Sequence, residues 1–271
     1  MTVRRSFVDG RFGQVHLRTT VPVAGAQPLV CLHATAYSSQ SFLPLMAALH
    51  GRRQVIAPDA PGYGDSDAAP AAPSIGAYAA ALVRALELAG EPVALLGYHT
   101  GAYIAAELAI ARPDLVERLV LIGIPYFQAL DLEAWRAKLA TRHRLEDRLD
   151  QFDERWRYFI THRDASVTLP RGFANFVDEL KAWPHGWWAH EAMFAYDSDA
   201  RLPLVPSPTL VLNPAGHLAP ASRAAAELIP DCVVVERPHW KGPVLENAAR
   251  GIADEVEMWL APVERPLTAA I

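Results

Sequence analysis

The chain predicts an α/β architecture: a mostly parallel, twisted sheet with helices on both faces and an inserted helical lid. Two observations carry that prediction. Short, continuous apolar runs alternate with helix-length segments, the pattern of strands buried on both faces and joined by crossover helices. The alternation stops between Pro125 and Pro206 and then resumes, which marks an insertion into an otherwise regular sheet.

Taken in order, Ser6–Asp9 and Gln14–Thr20 flank a Gly10–Gly13 turn and read as a hairpin with partial period-two alternation. Pro28–His33 is a buried strand, followed by helix-like residues Ser41–His50 and a strand at Gln54–Ala57. Ser74 is an N-cap for a helix that runs to Ala89 and closes at Gly90. Pro92–Gly97 is a strand, Thr100–Ala111 an alanine-rich helix ended by Arg112-Pro113, and Arg118–Ile124 another strand. Beyond the insertion come a strand at Thr209–Leu212, a helix at Ala221–Leu228, a strand at Cys232–Val235 and a last helix at Leu245–Leu260. Right-handed crossovers then make the sheet mostly parallel. The expected division is a core of residues 1–125 and 206–262, a helical lid at 126–205 and a tail at 263–271.

Composition narrows the function. Of 271 residues, 51% are hydrophobic and 20% charged, with a formal net charge of −5; no basic footprint for nucleic acid or an anionic membrane is present. No apolar run reaches the ~18 residues of a membrane span, and Met1–Gly10 lacks an apolar leader core. The expectation is a cytoplasmic protein with a small-molecule substrate or ligand and with neither nucleic acid nor membrane as partner. Cys31 and Cys232 sit in strand-like runs and read as core residues rather than a disulfide scaffold. No phosphate loop or dinucleotide fingerprint occurs, so no cofactor is expected.

Three motifs fall at strand ends. Leu32-His33-Ala34-Thr35-Ala36 follows the third strand, Asp59-Ala60-Pro61-Gly62-Tyr63-Gly64-Asp65-Ser66 the fourth, and Gly97-Tyr98-His99-Thr100-Gly101 joins a strand to a helix. In that order they resemble the His-Gly loop, the Asp-x-x-Gly-x-Gly-x-Ser loop and the nucleophile elbow of the α/β-hydrolase superfamily. The resemblance covers residues 1–125 and 206–262 and implies the α/β-hydrolase fold. It also implies an oxyanion site built from the backbone N–H groups of Thr35 and Thr100, with His33 holding loop backbone.

The chain departs from the family where the chemistry sits. His99 stands where a serine, cysteine or aspartate is usual. The acid expected after Thr209–Leu212, counted back from Pro220, falls on Gly216 beside His217, and after Arg118–Ile124 no carboxylate occurs before Asp131. The catalytic histidine's slot before the last helix goes to His239 or, aligned on Glu246-Asn247, to Lys241, with His239 favoured. A Ser-His-Asp triad needs a nucleophile, a base and an orienting carboxylate, so a serine-type acyl-enzyme is not expected.

Two classes of function remain. In one, His99 and His239 form an acid/base pair, with Tyr98, His33, His217 and Lys241 as further candidates. Such an enzyme hydrolyses an ester, lactone or carbon–carbon bond of a small carbonyl compound, or runs a related lyase or isomerase step. Within this class, His99 as nucleophile is a variant. In the other, the protein is an inactive hydrolase homologue that binds a ligand or acts as a scaffold. A zinc site from His33, His99, His217 and His239 lacks both short ligand spacing and a carboxylate, so no metal is expected. The lid holds most of the seven tryptophans, including Trp135, and Trp183, Trp187 and Trp188 are expected as apolar walls of the pocket. His162, His185 and His190 are candidates for polar contacts in the pocket, with the surface or packing as the favoured place for each.

Overall fold

The computed structural model describes residues 1–126, 133–134, 136–137, 147–183 and 185–261. Asp131, Trp135 and the tail at 263–271 lie outside the described residues, as does part of the segment between the sixth and seventh strands.

Eight strands form one sheet: β1 (Arg4–Gly10), β2 (Gly13–Thr19), β3 (Leu29–Leu32), β4 (Val55–Pro58), β5 (Val93–Tyr98), β6 (Val116–Ile122), β7 (Thr209–Pro214) and β8 (Cys232–Arg237). Their spatial order is β1-β2-β4-β3-β5-β6-β7-β8. The hairpin β1–β2 is antiparallel, closes at Gly10 opposite Gly13, and adds its second strand antiparallel to β4. All the other pairs are parallel.

Parallel neighbours require crossovers, and helices supply them. They are α1 (Leu43–Ala48), α2 (Ile75–Glu87), α3 (Thr100–Ala111), α8 (Ala219–Glu227), α9 (Val244–Asn247) and α10 (Ala249–Leu260). Between β6 and β7 stand α4 (Asp150–Trp156), α5 (Leu169–Ala182), α6 (Trp188–Phe194) and α7 (Ser198–Arg201). The Ser74 hydroxyl caps α2 by accepting from Ala77 N–H at 3.2 Å. The single last helix expected from Leu245 is two, because Ala248 leaves helical geometry at φ −113°, ψ 10°. Among the described residues no helix is long and apolar enough to cross a membrane.

The continuous apolar runs are explained by two cores, one on each side of the sheet. Val30, Leu95, Leu119, Leu121 and Val211 face α2, α3 and parts of the insert. Their alternating neighbours Leu29, Cys31, Ala94, Leu96, Val120, Ile122, Leu210 and Leu212 face α1, α9 and α10. Period-two alternation sends successive side chains to opposite faces, so a strand covered on both faces has no polar position left. Edge strand β8 is the counter-case, with Val233 and Val234 partly in solvent.

Strand order reverses around β3: β3 is flanked by β4 and β5, so the crossovers leave on opposite sides there. At such a switch point the loops at the C-terminal ends part and leave a crevice. The loop after β3 and the corner after β5 therefore meet, and the Thr35 hydroxyl donates to the Thr100 hydroxyl at 2.8 Å.

The double-sided core makes a stability prediction. Leu96 is fully buried in mid-sheet, whereas Val234 is 38% exposed on the edge strand. Leu96→Ala is expected to cost about 2–5 kcal/mol and Val234→Ala less than about 1 kcal/mol, read by urea unfolding of each purified variant.

Candidate active site

Between β5 and α3 the chain turns on one residue. His99 has φ 52°, ψ −115° and is the only non-glycine residue with positive φ among the described residues. Its N–H donates to the Ile122 carbonyl at 3.0 Å, and its carbonyl accepts from Ala102 N–H at 2.8 Å, so strand and helix grip the corner from both sides. The flanking glycines are there for space. A Cβ on Gly97 would stand 2.5 Å from the Gly101 carbonyl oxygen, and one on Gly101 would stand 2.1 Å from the Leu32 carbonyl oxygen. Gly123 serves the ring itself, since a Cβ there would lie 2.7 Å from His99 Cδ2.

The His99 imidazole lies beside Tyr98, ring centroids 4.1 Å apart. Both line a cavity of about 90 Å³ with Gly123, Asn213, Ala215, His217 and Val244 among its other walls. The cavity opens at the C-terminal ends of β5, β6 and β7. Among the described residues its lining contains no carboxylate and no serine or cysteine. Desolvation pushes His99 down to about 4, and the neighbouring His217 and His190 act in the same direction. Burial likewise lowers His190, on α6, to about 4 against the raising effect of the Gly186 carbonyl.

The other expected site residues are placed as follows. His217 is at the cavity wall on the loop after β7. Thr100 is buried at the start of α3 and joined to Thr35, and its hydroxyl also lies 3.9 Å from Met193 Sδ. His33 is buried, and both its nitrogens serve the loops: Nδ1 pairs with the Ala34 carbonyl at 2.9 Å and Nε2 accepts from Ala60 N–H at 2.9 Å.

The expected partnership of His99 with His239 is corrected. Trp240 is buried against α10, its ring filling the space over Gly251, and its carbonyl is held by Ala215 N–H at 3.0 Å. With Trp240 turned inward, His239 is turned out to solvent and does not line the cavity. Lys241 is also exposed and outside the lining; its carbonyl accepts from Asn247 Nδ2.

The expected tryptophan walls are absent from this cavity as well. Trp183 is buried in the insert under the Arg155 guanidinium, 3.9 Å from the ring centroid. Trp188 packs on His185 at 4.3 Å, and Trp187 bonds Glu191 while stacking on His190 at 5.8 Å. These rings are consumed by packing within the insert.

Asn213, in the cavity wall, was not anticipated, and His190 was expected at the surface or in packing rather than beside His99. His190 carries no local motif, and only the folded insert brings it near His99. Asn213 ends an apolar strand, and a polar residue there was a signal that could have been read.

His16, Asp59 and Asp65 form the one His/Cys/Asp/Glu group compact enough for a metal among the described residues. Asp59 is already used. Burial raises its pKa, but His16 at 2.8 Å, the nearby His33 and the N–H groups of Ser39 and Asp65 outweigh that and hold it at about 2. It is a brace for the loops after β3 and β4.

The insert is tied down beside the site. On α5, Asp178 accepts from the Ser38 hydroxyl at 2.6 Å and the Ala174 carbonyl accepts from Gln40 Nε2 at 2.9 Å. Arg171 pairs with Glu246, and Lys181 with Asp65.

The profile of the alpha/beta hydrolase fold family matches residues 27–213, and the chain belongs to that family. An uncharacterized protein of Mycobacterium tuberculosis is 35% identical over 116 residues, 42% of this chain and 34% of its own length. The (E)-2-((N-methylformamido)methylene)succinate hydrolase of Acinetobacter baylyi is 29% identical over 103 residues, 37% of this chain and 38% of its own. The chain thus matches only about a third of the length of these curated relatives. Among solved structures, the enol-lactonase of Burkholderia xenovorans LB400 superposes with a TM-score of 0.75 at 22% identity, covering 95% of this chain and 100% of that one. The esterase EaEST of Exiguobacterium antarcticum gives 0.77 at 17%, covering 95% and 99%.

Two measurements check the corner. A non-glycine residue held at such φ/ψ costs about 1–3 kcal/mol, so His99→Gly is expected to be about 1 kcal/mol more stable than His99→Ala in urea unfolding, glycine's own entropy cost being ~0.5–1 kcal/mol. For pH, a histidine with a folded pKa below its unfolded value stabilises the fold above the unfolded value and loses that contribution as pH falls. Stability is therefore expected to fall between pH 6.5 and 4, less steeply in His99→Gln, and the His99 Cε1–H resonance to stay at its neutral position until about pH 4.

Proposed function

We propose that the chain is a hydrolase of small, largely apolar carbonyl compounds, esters or lactones, whose His99 does the proton transfers at the family's elbow. The observation that carries this reading is the conformation of His99. The strained φ, the two space-saving glycines and the N-terminus of α3 are the apparatus that presents a reactive side chain, and they surround an imidazole. The solved hydrolases with the same fold support the reaction class, and the small cavity supports a small substrate.

The chemistry follows from the residues at hand. Neutral at pH 7, His99 takes a proton from the water that attacks the carbonyl carbon. The donors proposed for the resulting oxyanion are the backbone N–H groups of Thr35 and Thr100, which adjoin the His99 corner without lining the cavity and whose side chains lock the loop to the helix. The imidazolium, poorly tolerated in this dry site, returns its proton to the leaving oxygen as the tetrahedral adduct collapses. His217 takes the neighbouring place in the cavity that His239 was expected to fill, and Tyr98 supports the His99 ring. That no carboxylate lines the cavity among the described residues favours a second reading, a homologue that binds its ligand and returns it unchanged.

One experiment separates the two. Against a panel of short-chain 4-nitrophenyl esters and five- and six-membered lactones, His99→Ala is expected to lower kcat/KM at least about 100-fold. The wild-type profile is expected to be flat at neutral pH, with its acid limb near 4. Turnover equal in His99→Ala and wild type overturns the histidine mechanism; a panel with no turnover but measurable binding favours the ligand-binding reading.

A further inference from the structure

The sheet ends in β1 on one side and β8 on the other, and no described strand pairs with the outer edge of either. The two edges are built differently. β1 carries Arg4, Arg5 and Asp9, charges of the kind that keep an edge from recruiting another strand. β8 runs Cys232-Val233-Val234-Val235 before its first charge at Glu236 and holds no proline. Val233 and Val234 are 47% and 38% exposed. The backbone groups on this edge can be assigned. Thr209 N–H donates to the Asp231 carbonyl at 2.8 Å, which turns Asp231 toward β7. Alternation turns Val233, Val235 and Arg237 the same way, and Cys232, Val234 and Glu236 outward.

We propose that β8 is a homodimer interface, pairing antiparallel with β8 of a second copy about a two-fold axis at Val234. The sequence is self-complementary in that register. Outward residues must stand opposite outward residues, and this axis sets Val234 against itself and Cys232 against Glu236. In the closer pairs between them, Val233 of one copy meets Val235 of the other, and Asp231 meets Arg237, opposite charges face to face. Other registers lose this. An axis at Val233 leaves Asp231 opposite Val235, one at Val235 leaves Arg237 opposite Val233, and one at Glu236 opposes two carboxylates. A two-fold pairing also closes, so the valine-rich edge is used up rather than left to template further chains. A six-residue strand by itself buries less than the ~1,200 Å² of a stable interface, which makes this a dimer that dissociates on dilution.

Sedimentation equilibrium and amide hydrogen exchange of the whole chain test the pairing without any substrate. The average mass of the wild type is expected to rise with concentration toward that of two chains. Val234→Lys opposes two ammonium groups at the axis, and Asp231→Arg sets a cation against Arg237; each is expected to weaken association at least about tenfold. Ser6→Lys, on the charged edge β1, is expected to leave it unchanged. The Val234 amide proton is expected to exchange slowly in concentrated wild type and fast on dilution, because its acceptor lies across the axis. A wild type that stays a single chain at every concentration overturns the proposal, as does association equal in Val234→Lys and wild type. Weakening by Val234→Lys but not by Asp231→Arg overturns the register. Slow exchange at Val234 in a single chain overturns the dimer, since another segment of the same chain then lies on the edge. Should Val234→Lys fail to fold, the concentration dependence of wild-type exchange decides alone.

Discussion

The close approach of two backbones governs this molecule. The first turn of α3 lies against the end of β3, so near that one added carbon at Gly101 would fall 2.1 Å from the Leu32 carbonyl oxygen. Everything at the site takes its position from that contact. It forces the chain leaving β5 to reverse on a single residue, which puts His99 at positive φ. It also brings the loop after β3 alongside the helix start, where Thr35 and Thr100 bond. The sheet order makes the contact available, since β3 and β5 are neighbours at the switch point.

An imidazole in that place changes the physics of the corner more than its shape. A serine there depends on a base, and a base depends on a carboxylate to orient it. His99 has instead a ring neighbour in Tyr98, a glycine floor at Gly123 and two other histidines near enough to disfavour its charge. Dryness, rather than an acid partner, sets its protonation state. In the proposed reaction, the proton that His99 accepts is stabilised by charge developing on the substrate, which ties its basicity to a bound carbonyl group.

The sheet was legible because its strands are buried twice over. Leu95 and Leu96 face different cores, so the run around them is apolar throughout and unmistakable. The elbow was legible because Gly97 and Gly101 frame one residue at a strand-to-helix corner, a spacing that can be read without knowing what each glycine avoids. What surrounds His99 was less so, because it is assembled from distant segments. His239 and Trp240 are adjacent in sequence, and only the packing of Trp240 over Gly251 decides which of the two turns inward. His190 and the tryptophans of the insert met the same difficulty: a ring-rich segment announces packing without saying on which side of itself the cavity lies.

The Ser38–Asp178 bond joins two segments far apart in the chain. Ser38 and Thr35 belong to the same loop, and Asp178 belongs to the helix that rides above it. Burial raises the Asp178 pKa against the opposing effect of the Ser38 hydrogen bond, so this is a dry rivet rather than a surface contact. Because Thr35 on the same loop also bonds Thr100, a displacement of α5 is passed to the first turn of α3 through that one loop.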